Sequence, residues 1–257
     1  KCESCKLMMT GKTLEQLDQT LKNYYEKSST TNEIKKTIEV DHLDNHGRYL
    51  RNLWGSHYNY IKPLLKKSKE LLEIGPGTGL ALRLFEKEGF MVSGIETNEN
   101  YVKIINDKLE NGECFHGFVE ELDIEKKFDV IWLSHVFEHI VKPDLLLDKC
   151  QKLLKEDGFI FIAIPDCENP DILKQSIHEN ASSFHYTKNS LEKLVLKTGL
   201  IIEKCESFRE FVRIEGRFQM VLEKYFHTLS QINCPYFPFK RTNGSNGVEI
   251  RLILKKK

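Results

Sequence analysis

The sequence predicts an α/β domain: a doubly wound, mostly parallel sheet with helices on both faces, a C-terminal antiparallel edge strand and an N-terminal helical extension. Three observations carry this expectation. Apolar runs of strand length alternate with helix-like segments between residues 71 and 165. The runs are continuously apolar instead of alternating, which is the pattern of a sheet buried on both faces. The intervening segments each close near a glycine that suits a helix C-cap, and strand-helix alternation of this kind builds parallel sheets.

Taken in order, residues 13–25 (TLEQLDQTLKNYY) space Leu14, Leu17, Leu21 and Tyr24 at helical intervals, and the polar KSSTTNE stretch after them reads as a loop. A second helical stretch runs from Asp41 to about Lys67 and carries Tyr49, Trp54, Tyr58 and Tyr60, with Pro63 starting or kinking its last segment. The strands are LLEIG (71–75), MVSGIE (91–96), DVIWLSHV (129–136) and FIFIAIP (159–165). LALRLFEKEG, NENYVKIINDKLENG and KPDLLLDKCQKLLKEDG are the helices between them. After Pro165 the expected order is a loop, a helix (187–199), a strand (200–207), an aromatic-rich helical stretch (208–230) and a last strand (247–255). Two strands divided by a long insertion are placed to pair antiparallel at the sheet edge. The expected division is an extension over residues 1–60 and a main domain over 61–257, with 208–246 as an insertion that could cap an acceptor site.

Composition narrows the function. The chain has 257 residues, 40% hydrophobic and 30% charged, which excludes disordered and fibrous classes. Lys+Arg 38 against Asp+Glu 38 leaves no net field to gather a polyanion, so nucleic acid is a weak expectation despite the locally basic FKRTNG and LKKK segments. The longest apolar run, Phe159 to Pro165, falls far short of the roughly 20 residues that span a bilayer. No charged-then-apolar leader opens the chain, and seven scattered cysteines read mostly as reduced thiols, so the expected compartment is the cytoplasm. The start at Lys-Cys-Glu instead of Met gives the expectation of a fragment whose upstream part is missing.

The most informative segment is LLEIGPGTG, a buried strand running into Gly75, Gly77 and Gly79 ahead of a helix. Glycines there let the backbone turn sharply and lie against a ligand. The dinucleotide pattern G-x-G-x-x-G would need glycine at position 80, where Leu80 stands, which argues against a nicotinamide-dependent reductase. Glu73 inside the apolar strand is costly unless it meets a ligand or loop bearing positive charge or N–H donors. Glu96 closes the next strand, where a carboxylate can accept both hydroxyls of a ribose.

This arrangement resembles the class I S-adenosylmethionine-dependent methyltransferases, whose first motif E/D-x-G-x-G-x-G is matched from Glu73 to Gly79. The likeness runs over roughly residues 60–207 and includes a Rossmann-like sheet. It implies S-adenosylmethionine as cofactor, held by Glu73, Gly75, Pro76, Gly77, Gly79, Glu96, Thr97 and Ser134. GFVEE (Gly117 to Glu121) would be the loop beside adenine, with Phe118 or Val119 packing on the ring and Glu120 or Glu121 taking its amino group. Many relatives carry Asp directly after the glycine of this loop, where this chain has Phe118.

Ligands of open α/β sheets bind outside the carboxyl ends of the strands, so SHVFEHI places Ser134, His135, Glu138 and His139 near the transferred methyl. His135 is the best candidate base, since a neutral imidazole accepts a proton near pH 7, with Glu138 and His139 beside it, and the distant His185 joins the candidate catalytic set by resemblance. This set resembles that of the metal-dependent O-methyltransferases that act on ubiquinone precursors or small-RNA ends, except that His135 stands where their first Glu does, and no metal is assigned. Cys2-Glu-Ser-Cys5 is half of a zinc ribbon. With Leu-Met-Met and Tyr24-Tyr25 following, it resembles the zinc-binding preface of sugar C-methyltransferases, which implies a lid over the cofactor. The expected function is methyl transfer to a small-molecule acceptor at O, N or C. The alternatives are 2'-O-methylation of RNA and a non-catalytic Rossmann-like binding module.

Overall fold

The computed structural model describes residues 2–9, 11, 13, 15–17, 19, 45–65, 69–178, 183–209, 240–242 and 245–257. Its elements in order are β1 (Met8–Met9), α1 (Asn45–Ile61), a 3-10 turn (Lys62–Leu64), β2 (Glu70–Ile74), α2 (Leu80–Lys87), β3 (Met91–Glu96), α3 (Glu99–Asn106) and β4 (Glu113–His116). There follow β5 (Phe128–Ser134), a second 3-10 turn (Phe137–His139), α4 (Pro143–Leu153), β6 (Leu154–Pro165), α5 (Pro170–His178), β7 (Phe184–His185), α6 (Lys188–Val195), β8 (Leu200–Arg209), β9 (Lys240–Thr242) and β10 (Glu249–Lys256).

Eight strands form one sheet in the order β4-β3-β2-β5-β6-β10-β8-β9. The first five pair in parallel. The last strand in sequence, β10, runs antiparallel between β6 and β8, and the short β9 closes the edge antiparallel to β8. The expected antiparallel C-terminal strand is therefore present and is paired along both sides. Side chains two apart share a face, and the sheet is buried on both. Leu72, Ile74, Leu133, Ile162, Ile250 and Leu252 pack with residues of α4 and α6. Leu71, Val92, Trp132, Phe161 and Ile253 pack with residues of α1, α2 and α3.

Helix α1 ends at Ile61, before Pro63, as the steric clash of a proline with the preceding residue's helical conformation requires. Though it lies within the expected N-terminal extension, α1 buries Trp54, Tyr58 and Ile61 against the sheet's own core. Several details differ from the sequence reading, the short strands β1, β7 and β9 among them. KLLKEDG does not prolong α4: the helix stops at Leu153, β6 begins at Leu154, and a register shift between Phe128 and Val130 absorbs the charged residues. A Cβ on Gly158 would lie 2.9 Å from the Asp129 carbonyl oxygen, so this bulge needs the glycine. Strand β4 and helix α5 were not expected. Each buries a single residue, Cys114 and Ser176 respectively, and so shows no apolar period.

The expected helix over 13–25 falls partly outside the described residues, and the Tyr24–Tyr25 lid lies wholly outside them, as does most of the aromatic stretch 208–230. Of the 208–246 insertion, 210–239 and 243–244 are likewise outside. Among the described residues no helix is long and apolar enough to cross a membrane.

Candidate active site

Three glycines shape the exit of β2. Gly75, Gly77 and Gly79 all take left-handed φ, at 70°, 53° and 71°. At the outer two the chain is also tightly approached: a Cβ on Gly75 would sit 2.6 Å from Val136, and one on Gly79 2.7 Å from Ile105. Gly77 differs, since a Cβ there would meet nothing within 4 Å. Its left-handed backbone thus borders open space at the carboxyl end of the sheet, the property a ligand cradle needs.

Two carboxylates face this loop. Glu73 is 4% exposed, and its Oε2 has no hydrogen-bond partner. Burial, and after it the neighbouring Glu96, pushes the Glu73 carboxyl up to about 8, although the Leu82 backbone N–H donates to it. Glu96 is raised too, chiefly by burial. Its Oε2 accepts from Gly77 N–H at 3.0 Å, and its Oε1 from Asn98 N–H at 3.0 Å and the Thr97 hydroxyl at 3.3 Å. Asn98 caps α3 by accepting from the Asn100 and Tyr101 N–H groups, which ties the β3 exit to a helix start. Glu96 also holds the next loop, its carbonyl oxygen accepting from Gly117 N–H at 3.0 Å. In that loop Val119 is buried in the core, whereas Phe118 and Glu120 are exposed. Of the two residues expected beside an adenine ring, Phe118 is thus the one with a free face.

At the exit of β5, Ser134 is half-buried and His135 adopts φ 55°, a left-handed conformation that few non-glycine residues hold. The ladder fixes it there, since His135 N–H donates to the Ala163 carbonyl at 2.8 Å. Its side chain is 39% exposed, with Nδ1 3.6 Å from Glu138 Oε1 and Nε2 3.2 Å from Glu249 Oε2. Burial opposes charge on this ring, but the hydrogen bonds and fields of Glu138 and Glu249 outweigh it and lift the imidazole above its ordinary value. The expected base is therefore placed where its protonated form is favoured.

Glu249, His57 and Arg251 were not singled out by the sequence reading. Glu249 is buried at the start of β10, and its Oε1 accepts from Arg251 Nε at 2.6 Å. His57 Nε2 of α1 lies 2.9 Å from both of its oxygens. Arg251 donates in turn to the Ser56 carbonyl and hydroxyl and lies 4.1 Å from the Phe208 ring centroid. Burial first, then Arg251 and His135, pull His57 down, against the upward pull of Glu249. His57, Arg251 and His135 together outweigh burial at Glu249 and hold it well below the usual carboxylate range. An acid and a base two positions apart in the apolar run GVEIRLILK were the available signal.

The remaining expected residues are scattered around this exit. Glu138 is buried, and its Oε2 has no partner. The His139 side chain is half-buried, and its carbonyl accepts from the Ser183 hydroxyl at 3.2 Å. His185 is buried in β7, its Nδ1 2.9 Å from the Ser176 hydroxyl of α5, and burial lowers its basicity. In β7, His185 pairs with Met8 and Phe184 with Met9, so the N-terminal strand β1 is laid along this segment. Cys2 and Cys5 are free, and Lys193 Nζ donates to the Ser4 carbonyl and hydroxyl beside them. Among the described residues no three His, Cys, Asp or Glu side chains gather into a metal-holding set.

A family model described as a methyltransferase domain matches residues 46–204. Over 131 residues the chain is 37% identical to an uncharacterized methyltransferase of Alkaliphilus oremlandii, covering 50% of this chain and 60% of that protein. Over 118 residues it is 29% identical to a ubiquinone biosynthesis O-methyltransferase of Haemophilus ducreyi, covering 41% of this chain and 50% of the relative. The matched part thus spans about half to three-fifths of these relatives. The fold is that of a plantazolicin methyltransferase solved in complex with SAH, at TM-score 0.61 and 16% identity, covering 95% of this chain and 98% of that one. The chain belongs to the methyltransferase domain family, with the fold of the class I S-adenosylmethionine-dependent enzymes.

Proposed function

We propose that the protein transfers a methyl group from S-adenosylmethionine to a small-molecule acceptor. The observation that carries this reading is the pairing of Glu73, buried with an unpartnered oxygen, with the open left-handed backbone at Gly77. That set fits a ligand bringing hydroxyl or N–H donors and positive charge, as S-adenosylmethionine does, and it lacks the phosphate cradle of a dinucleotide site. Gly75, Pro76, Gly77 and Gly79 form the wall of the site, Glu73 compensates the cofactor's charge, and Glu96 with Thr97 takes the ribose. Phe118 covers the adenine, with Val119 as its support from the core and Glu120 at the rim. Ser134 lies at the amino-acid end.

When bound, the cofactor supplies an electrophilic methyl on a sulfonium. The protein's own part is chiefly alignment, because the transfer is an in-line displacement and geometry alone can contribute several kcal/mol of the barrier, roughly 7–11 in well-oriented models. His135 and Glu138 stand at the β5 exit to orient the acceptor, while His139 and the buried His185 brace that wall. The likeness to ubiquinone O-methyltransferases supports an oxygen acceptor. Titration calorimetry with S-adenosylmethionine and S-adenosylhomocysteine, with NADH as control, tests the cofactor. Both sulfur ligands should bind in the micromolar range, and Glu96→Ala should weaken them by about 1.5–3 kcal/mol, the worth of a charged hydrogen bond. Absence of binding by either would refute the reading.

A further inference from the structure

His135 stands half-exposed at the β5 exit with its ring between two buried carboxylates. Both ring nitrogens of His135 lie against carboxylates, Glu138 Oε1 at 3.6 Å and Glu249 Oε2 at 3.2 Å. Only the imidazolium has a proton on each nitrogen to direct at two acceptors. Glu249 is not free to yield. Arg251 holds its Oε1, His57 reaches both oxygens, and Ser56 of α1 anchors Arg251 in turn. Among the described residues the charged and titratable groups around His135 include Glu138 from the 3-10 turn, Glu249 and Arg251 from β10, and His57 from α1. His57 is held uncharged by burial and by Arg251, which leaves the two carboxylates to decide the state of His135. The strained backbone at His135 is consistent with a ring set for a task, as strain of this kind persists where the surrounding structure over-determines it.

We propose that Glu249 is a positioning residue that locks His135 as a permanent cation at the β5 exit, so that the enzyme selects acceptors bearing a negatively charged oxygen, a carboxylate or a phenolate. The inference rests on the methyltransferase reading above and adds the acceptor's class. An anionic oxygen also removes the need for a base. The new O–C bond forms as the C–S bond breaks, the electron pair stays on sulfur, and no proton has to leave. A cationic donor beside that oxygen holds it for in-line attack, and a neutral alcohol arriving there meets an imidazolium that cannot take its proton.

The test has two arms on the full chain. Histidine Cε1 resonances are followed through a pH titration, with His135 assigned from the peak lost in His135→Asn. The expected result is a His135 signal that does not titrate below about pH 9, and a midpoint lowered by about two pH units in Glu249→Gln. Benzoate and its neutral isostere benzamide are then titrated with and without S-adenosylhomocysteine. Benzoate should bind at least about tenfold more tightly, and His135→Asn should abolish the difference. A His135 midpoint near 6.5 in the parent chain, or equal affinity for the two probes, would overturn the proposal even if the Glu249 variant failed to fold. Failure of S-adenosylhomocysteine to bind would instead strike the cofactor reading, and the benzoate comparison without it would still decide the charge lock.

Discussion

Glu73 is costly to ionise where it stands. Its carboxyl is raised from 4.5 to about 8 in the folded chain, so below pH 4.5 folded and unfolded states bind the same proton and folding is unaffected. As pH rises from 4.5 toward 8 the unfolded chain ionises first, and stability is lost through that window. Each pH unit of such a shift is worth about 1.4 kcal/mol, so the ligand-free chain near pH 8.5 gives up a few kcal/mol, on the order of 3, after allowance for relaxation. Glu73→Gln should therefore be more stable than the parent by about 1–3 kcal/mol at pH 8.5 and nearly equal to it at pH 5. Urea unfolding at the two pH values checks this, and equal stability at both would show that Glu73 is not strained. The same variant should bind S-adenosylhomocysteine more weakly. This residue was legible in the sequence because an acid in an apolar strand has few explanations. Glu249 and Arg251 pose the same anomaly in β10, but a salt bridge between them would have explained it locally, so the links of Glu249 to His57 and His135 stayed hidden. The link to His57 comes from α1, 192 positions away in sequence. His135 was legible as a residue, but its surroundings were not. A neutral imidazole was the sequence expectation, and the carboxylates of Glu138 and Glu249 favour the protonated one.

At the scale of elements, the strands buried on both faces were plain in the sequence because their apolar runs leave no other reading, and β2, β3, β5 and β10 all fall where expected. What escaped was short or charged: β4 with one buried residue, α5 with one, and the bulged start of β6, whose Lys155 turns to Asp129 at 3.0 Å. Helix α1 bears on the division of the chain. It buries Trp54, Tyr58 and Ile61 against Phe85, Phe90 and Trp132, with Trp54 stacked on Tyr58 at 5.1 Å between centroids, and it supplies His57 and Ser56 to the Glu249–Arg251 pair. A chain that starts at residue 61 would expose that apolar face and leave a buried ion pair short of partners, a loss of about 3–5 kcal/mol from the second effect alone. Circular dichroism and near-ultraviolet spectra should show such a chain without fixed tertiary structure, while a chain starting at residue 45 should keep it. A folded chain from residue 61 would place α1 outside the structural core.

For the whole molecule, the site is a product of topology. Parallel strands β2, β3 and β5 end on one edge, and the antiparallel β10 begins on that edge, so Glu73, Glu96, His135 and Glu249 converge although they are spread over nearly 180 positions of sequence. Parallel pairing sets the first three exits together, and the insertion of β10 beside β6 brings Glu249 opposite Pro165, with only β6 between its strand and that of His135. A ligand bound at these exits therefore joins elements from both halves of the sheet, and its binding should stabilise folding as a unit. At a free concentration one hundred times the dissociation constant, a ligand specific to the folded state contributes about 2.7 kcal/mol. For a chain of this size that amounts to a rise in Tm of roughly 5–10 °C. S-adenosylhomocysteine should produce it in a single cooperative transition, and Glu96→Ala should reduce it at the same ligand concentration. Because the chain carries 38 basic and 38 acidic residues, the rise should also change little between low and moderate salt. A rise confined to part of a split transition would show that the two halves of the sheet unfold separately, and a rise that collapses with salt would point to a binding surface outside this edge.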